Sequence, residues 1–161
     1  MSEKIKLGQS QLYPSKYDTS LLERILRKSY RENAKIDHKA PFGFDLWNAY
    51  EFSCLDATGK PLVSILKLIV PSKSKYIVES KSFKYYLNSF NMKKFTSLDE
   101  ATNLILKDLN SLLEIDCDCL MLSPQEWGSY DPTFSGVCLD TQAIYPSTVK
   151  NGDLYLKQLS N

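Results

Sequence analysis

The sequence is poor in the residues from which metal sites are built. It has one histidine, His38, which excludes a histidine-rich metal site and a Ser-His-Asp triad drawn from several histidines. Its four cysteines include Cys117 and Cys119, but neither a CxxC spacing nor a matching second pair is present. We therefore expect no metal site, and we expect the cysteines to be buried or half-buried thiols of a reducing compartment.

Long apolar runs and a strong net charge are also missing. No stretch approaches the roughly 18 apolar residues that a membrane-spanning helix requires, and residues 1–4 do not begin a secretory signal. The net charge of +1 creates no long-range field that would attract a nucleic acid backbone. We therefore expect a cytoplasmic protein with no membrane partner and no direct nucleic acid partner.

The composition is that of a folded globular protein. Apolar residues make up 43% of the chain and charged residues 24%, which argues against extensive disorder. A chain of 161 residues suits a single domain, and it is long enough to bury about two-thirds of its unfolded surface. No GxGxxG motif follows a predicted strand, so a dinucleotide site of the Rossmann type is excluded.

Residue patterns predict four strands. Residues 46–55 alternate loosely, residues 56–61 supply turn chemistry, and residues 62–70 are apolar and β-branched, so together they predict a β-hairpin. Residues 75–78 are predicted to extend or resume the second strand. Residues 116–123 and 134–140 are predicted to form the third and fourth strands.

Two helices are predicted between the hairpin and the third strand. The first begins near Ser80, and the second begins at a capping box over residues 97–100. The apolar face of the second helix consists of Leu98, Ala101, Ile105, Leu109 and Leu112. The order ββααββ predicts an α+β fold, with a four-stranded antiparallel sheet and two helices on one of its faces.

The two ends of the chain are predicted to lie outside this sheet. Residues 1–40 are polar and are predicted to form an N-terminal arm of loops, with a short helix over residues 21–26. Residues 41–142 form the predicted folded module. Residues 143–161 have no strong period, and we expect them to be a linker or a disordered tail.

Residues 78–90 place charged and hydroxyl side chains where the β-rich region gives way to a helix. A helix N-terminus leaves backbone N–H groups unpaired and carries partial positive charge, so it can bind anionic groups. The Glu79 carboxylate at the same place can accept hydrogen bonds from a base. The alternative is an ordinary amphipathic helix, in which Phe83, Leu87 and Phe90 form the apolar stripe and the charges are solvated.

This segment resembles the signature of the 7-cyano-7-deazaguanine reductases, which are NADPH-dependent nitrile reductases of queuosine biosynthesis. The resemblance extends from about residue 7 to residue 140 and covers the amino-terminal half of the two-module form of that family. Its further motifs are Gly8-Gln9-Ser10, residues 17–22, Asp45-Leu46-Trp47, residues 50–53 and residues 88–91. It implies the tunnelling fold (T-fold), in which sheets of several modules join into a barrel and ligands bind between modules.

The resemblance also implies site residues. Glu79 would accept the adjacent N–H donors of the deazaguanine base as a bidentate charge-assisted pair, and Val78 and Ser80 would line the same substrate pocket. Ser80 and Lys81 match positions that the family uses toward the cofactor NADPH. The implied partners are 7-cyano-7-deazaguanine, a C-terminal catalytic module and, at full length, a second copy in a dimer.

The catalytic groups of the family are not visible in this chain. The family uses a cysteine nucleophile, an aspartate acid and a His-Glu pair, but Leu55, Leu62 and residues 95–96 occupy those positions. Cys54 lies one residue from the nucleophile position, and a shift of one residue in a strand turns a side chain to the opposite face. We therefore predict no catalytic residue here, and we interpret Cys54 as a packing thiol.

These departures predict an amino-terminal module that contributes Glu79 while a second module reduces the nitrile to an aminomethyl group. Alone, the chain should be inactive. The alternatives are a non-catalytic module that closes a barrel, one partner of a split enzyme, or a T-fold enzyme that acts on a pterin through zinc.

Overall fold

A computed structural model describes residues 16–35 and 42–127. It shows an α+β fold that begins with a 3-10 helix at Thr19–Leu21. In chain order, the further elements are β1 (Arg24–Leu26), α1 (Arg27–Asn33), β2 (Phe44–Asp56), β3 (Pro61–Pro71), β4 (Tyr76–Val78), α2 (Ser80–Asn88), β5 (Lys94–Phe95), α3 (Leu98–Leu113), β6 (Asp118–Leu122) and α4 (Pro124–Trp127). Within the described ranges, no helix is long and apolar enough to cross a membrane.

The predicted hairpin is confirmed by the antiparallel pairing of β2 and β3. Its turn is held by the side chain of Asp56, which accepts hydrogen bonds from the backbone N–H groups of Thr58 (2.8 Å) and Lys60 (2.9 Å). Gly59 has a φ of +96°, a conformation that residues with a Cβ rarely adopt. The turn residues 56–60 therefore fix the register of the two strands.

A bulge in β2 decides which side chains face the core. The register with β3 shifts between Ala49 and Phe52. The extra residue keeps Phe52 and Cys54 on the same face as Trp47, although simple alternation would turn them away. Phe52 and Cys54 are fully buried there.

The larger sheet has the strand order β5-β2-β3-β6 and is mixed. Strands β2, β3 and β6 are antiparallel, as predicted, but β5 is a two-residue strand that runs parallel to β2. The predicted fourth antiparallel strand, residues 134–140, lies outside the described residues, as does the predicted tail. The predicted antiparallel pairing is therefore confirmed for β2, β3 and β6, and the fourth antiparallel strand stays a prediction.

The prediction for residues 21–26 was wrong. In place of a helix there, the structure has β1, and the helix α1 starts only at Arg27. β1 pairs antiparallel with β4, so that Ile25 lies opposite Ile77 in a separate two-stranded sheet. This long-range pairing overrides the local helical tendency. It also separates β4 from β3, the strand that residues 75–78 were predicted to extend or resume.

The two predicted helices are confirmed, and both contribute to the core under the inner face of the sheet. Ser97 caps α3 by accepting a hydrogen bond from the backbone N–H of Glu100 (3.2 Å). The buried residues of α3 are Ala101, Ile105, Leu109 and Leu113, whereas Leu98 and Leu112 are half-buried. The apolar face therefore differs from the predicted one mainly in its last turn.

Asp108 connects the N-terminal segment to both helices. Its Oδ2 atom accepts hydrogen bonds from the hydroxyl groups of Tyr17 and Tyr86, each at 2.6 Å. Burial, and then the hydrogen bond to Asp108, raise the pKa of both tyrosines well above their usual value. Both phenols therefore stay protonated in the folded state at pH values where they would ionise in the unfolded chain.

We expect Tyr86→Phe to lower the free energy of unfolding by about 1–3 kcal/mol, because the half-buried Asp108 carboxylate loses a donor. Because the pKa of Tyr86 is raised in the folded state, its contribution to stability is complete below the pKa of the unfolded chain, near 10, and is lost as the pH rises above that value. Wild-type stability should therefore fall more steeply above pH 10 than that of the variant. Urea unfolding on both sides of pH 10 measures this, with the exposed Tyr30→Phe as control. Equal slopes for wild type and Tyr86→Phe would contradict it.

Candidate functional site

A cleft of about 560 Å³ opens at the junction between β4 and α2. Its walls come from β1 and α1 on one side, from the middle of β2, and from the first residues of α2. The lining residues are Ile25, Arg27, Tyr30, Arg31, Trp47, Ile77, Val78, Glu79 and Ser80. The cleft therefore combines two cations, one carboxylate and an aromatic and aliphatic wall.

Glu79 is the N-cap residue of α2, and its carboxylate is held in a fixed orientation. One oxygen accepts the backbone N–H of Lys81 (3.0 Å) and the other accepts that of Ser82 (2.6 Å). The Ser80 hydroxyl adds a longer bond of 3.3 Å to the first oxygen. Because a carboxylate offers about four acceptor positions, each oxygen can still accept a hydrogen bond once the Ser80 hydroxyl rotates away.

The cations of the cleft are anchored by their own partners. Arg27 is buried, donates from Nε to the hydroxyl of Ser74 (2.8 Å) and forms an ion pair with Asp45. Arg31 donates from Nη2 to the backbone carbonyl of Ser72 (2.7 Å). Both guanidinium groups thus tie α1 to neighbouring segments and hold one wall of the cleft in place.

Trp47 also lines this cleft and is half-buried. Its ring meets Phe83 of α2 edge to face, with ring centroids 6.2 Å apart and an interplanar angle of 84°. Its indole Nε1 is buried, and within residues 16–35 and 42–127 it has no hydrogen-bond acceptor. A buried donor of this kind is uncommon in folded proteins.

A second cleft of about 450 Å³ shares Trp47 and Ser80 with the first. It lies between β2 and α2 and includes the cation Lys84 and the carboxylate of Glu51. Its other lining residues are Asn48, Ala49, Tyr50, Phe83, Leu87 and Asn88. The start of α2 therefore borders two adjoining clefts.

The structure brings together some of the predicted site residues. Val78, Glu79 and Ser80, predicted to bind substrate, all line the first cleft. Of the residues predicted to contact the cofactor, Ser80 lines both clefts, whereas Lys81 lines neither of the two. The roles themselves stay predictions.

Sequence reasoning missed Arg27, Arg31 and Trp47 as neighbours of Glu79. Trp47 stood in a motif shared with the resembled family but received no role. Both arginines lie in the segment that was predicted to be an arm. A signal for them was therefore present, but no local pattern connects residues 27–31 to residue 79.

The cysteines of the described residues are protonated thiols at neutral pH. Cys54 is fully buried in the core, where burial raises the pKa of its thiol, as the interpretation of a packing thiol requires. Burial raises the pKa of Cys117 to about 11 and that of Cys119 to about 12. Among the described residues, no three His, Cys, Asp or Glu side chains are grouped to hold a metal ion. His38 lies outside the described part of the chain.

Comparison with known proteins identifies the family. The sequence model described as nitrile reductase, 7-cyano-7-deazaguanine-reductase N-term matches residues 13–120. The chain belongs to this family. It is 41% identical over 136 residues to the NADPH-dependent 7-cyano-7-deazaguanine reductase of Burkholderia multivorans, covering 83% of this chain and 50% of that protein. It is 40% identical over 140 residues to the protein of the same name from Paraburkholderia xenovorans, covering 86% and 51%.

The chain thus spans about half the length of the curated relatives it matches. The matched family model is that of an N-terminal region, so the nitrile reductase family membership applies to an N-terminal part. The matched range, residues 13–120, includes every residue that lines the two clefts.

We expect Arg27→Met to lower the free energy of unfolding by about 1–3 kcal/mol, because Asp45 and Ser74 each lose a partner in a mostly buried setting. Lys28→Met is the matched control. It removes an equal charge from an exposed pair with Glu32 at 3.7 Å, where the effect should stay within about 0.5 kcal/mol. Urea unfolding measures both, and equal losses would contradict a structural role for the Arg27 pair.

The cap bonds of Glu79 predict a stability effect that is independent of any ligand. Glu79→Ala should destabilise the chain by about 1 kcal/mol, because two backbone N–H groups of α2 lose their acceptor. Ser97→Ala, which removes the cap of α3, should cost a similar amount. A neutral Glu79→Ala in urea unfolding would show that the carboxylate does not cap the helix in solution.

Proposed function

We propose that this chain is the N-terminal module of an NADPH-dependent 7-cyano-7-deazaguanine reductase, an oxidoreductase that reduces the nitrile to the aminomethyl group. In this proposal the first cleft contributes to the base pocket, and a C-terminal module carries the nucleophilic cysteine and the acidic aspartate. The observation that carries it is the half-buried Glu79 carboxylate, held in a fixed orientation at the cleft beside Val78 and Ser80.

The cleft has the chemistry that a deazaguanine base requires. The base presents a ring N–H and an exocyclic amine side by side, and one carboxylate can accept both bonds, each worth about 1.5–3 kcal/mol. The cap bonds to Lys81 and Ser82 orient the carboxylate before the ligand arrives, which lowers the entropic cost of binding. The aromatic and aliphatic walls, Trp47 and Ile77 among them, suit a flat heterocycle.

The residues near the second cleft fit a phosphate-bearing cofactor in part. NADPH supplies the hydride when it is bound. Ser80 lines this cleft together with Lys84, and a hydroxyl with an ammonium group can bind phosphate. Lys81 does not line it, so the proposed contacts of Ser80 and Lys81 with the cofactor depend on the rotamer that Lys81 adopts.

The reacting groups are proposed to come from the second module, because the described residues do not offer them. Cys54 is buried in the core, and Leu62 lies opposite it on β3. The proposed protein is cytoplasmic and a dimer when it contains both modules.

A second candidate is a non-catalytic module that closes a barrel, or one partner of a split enzyme. The observation that favours the barrel-closing module is that both Glu79 oxygens already accept backbone bonds, so the carboxylate has a complete structural role without a ligand. Base binding separates the two candidates.

We expect 7-cyano-7-deazaguanine to bind the reassembled two-module protein and Glu79→Gln to weaken binding about tenfold or more. The amide keeps one acceptor oxygen for the helix cap but turns a donor toward the donors of the base. Calorimetric titration, or NMR titration if the affinity is weak, measures it. Glu23→Gln removes the same charge next to β1, outside the cleft lining, and should bind normally.

Equal affinities of the two-module wild type and its Glu79→Gln variant would favour the assembly function. The chain mixed with the base and NADPH should not oxidise the cofactor. Nitrile-dependent oxidation that Cys54→Ala abolishes would contradict the proposed division of labour between modules.

A further inference from the structure

The hydroxyl group of Ser82 joins the start of α2 to the segment before β1. Ser82 is only 7% exposed, and its hydroxyl donates to the backbone carbonyl of Glu79 at 2.8 Å. The same hydroxyl accepts the backbone N–H of Glu23 (3.0 Å), the residue directly before β1. One buried side chain therefore links the residue that carries the cleft carboxylate to the strand that forms part of the cleft wall.

The backbone of Ser82 also holds the carboxylate itself. Its N–H donates to one oxygen of Glu79 at 2.6 Å, while the N–H of Lys81 donates to the other oxygen at 3.0 Å. The side chain and the backbone of Ser82 thus both bind Glu79. A movement of Ser82 relative to β1 would therefore move the carboxylate relative to the cleft wall formed by β1 and α1.

A second serine makes the same kind of link at the other end of α2. Ser89 is 1% exposed, and its hydroxyl donates to the backbone carbonyl of Tyr86 (2.6 Å), three residues earlier. It accepts the backbone N–H of Asp18 at 3.3 Å. Ser82 and Ser89 are two helical turns apart and so lie on one face of the helix. Ser89 therefore anchors the N-terminal segment as Ser82 does, but without holding a carboxylate.

We propose that Ser82 is a positioning residue of the base site, whose hydroxyl fixes where the Glu79 carboxylate stands relative to the β1 and α1 wall. The inference rests on the proposed function, in which Glu79 accepts the two N–H donors of the base. Two parallel hydrogen bonds form only if both oxygens are correctly aligned, and a binding group keeps such alignment through the residues that support it. Ser82 acts through Glu79 and does not contact the ligand.

This role makes a prediction about selectivity. The analogue of 7-cyano-7-deazaguanine with hydrogen in place of the exocyclic amine keeps the ring N–H and the carbonyl oxygen, so it can still form one of the two bonds to Glu79. An aligned carboxylate should prefer the amine form about tenfold, because it gains a second charge-assisted bond. A misaligned carboxylate gains less from the second donor, and the preference should fall.

The first experiment measures the affinity of both ligands for the reassembled two-module protein by calorimetric titration. Ser82→Ala should bind the amine form about fivefold more weakly and reduce the preference for it to about threefold or less. Ser89→Ala is the matched control, because it removes an equivalent anchor. It should destabilise the protein comparably in urea unfolding, yet keep affinity and preference within about twofold of wild type.

The second experiment tests whether Ser82 acts through Glu79. In a double-mutant cycle, adding Ser82→Ala to Glu79→Gln should change the affinity for the amine form by less than about twofold, whereas an independent role would give the full loss again. Ser82→Cys fills the same space with a weak hydrogen-bonding group, which keeps the packing of α2, and it should lower the preference as Ser82→Ala does. Because the preference compares two ligands on one variant, partial unfolding cancels from it.

The outcomes separate this inference from the proposed function. If Glu79→Gln weakens binding but Ser82→Ala and Ser82→Cys keep the wild-type preference, the Ser82 inference alone is overturned. An equal loss of preference in Ser89→Ala, or additive effects in the double-mutant cycle, would overturn it too. If Glu79→Gln leaves binding unchanged, the proposed function fails and this inference fails with it.

Discussion

The hydrogen bonds among Glu23, Glu79 and Ser82 are the constraint on which the rest of the cleft depends. The backbone N–H of Glu79 donates to the carbonyl of Glu23 (2.9 Å), and the backbone N–H of Glu23 donates to the Ser82 hydroxyl (3.0 Å). These bonds continue the pairing of β1 with β4 into the first turn of α2. They hold the N-terminal segment against the helix start, and so they create the wall that carries Arg27 and Arg31.

Glu79 combines a structural and a proposed chemical role in one side chain. Its two cap bonds satisfy N–H groups that every helix start leaves open, and the same bonds orient its remaining acceptor positions. A carboxylate has enough acceptor capacity for both roles. Trp47 of β2 and Ile77 of β4 line the same cleft, so it combines an acceptor with an aromatic and aliphatic surface.

Local patterns predicted the elements whose signals are local. The capping box at Ser97 predicted α3, and the turn chemistry around Asp56 and Gly59 predicted the hairpin, because those bonds join residues a few positions apart. The strand β1 was missed, since its pairing partner lies about fifty residues further along the chain. The short parallel strand β5 and the bulge in β2 were missed for the same reason, because both are set by contacts with other elements.

The sequence by itself determined that a helix starts at Glu79 in a family signature and that Val78 and Ser80 stand beside it, and it predicted that Cys54 is a packing thiol. Only the tertiary structure decided what faces Glu79. Arg27, Arg31 and Trp47 reach the cleft because β1 pairs with β4 and because the hairpin presents the middle of β2 to α2. Such neighbours are chosen by the pairing of distant strands, whose hydrogen bonds connect segments that no local periodicity relates.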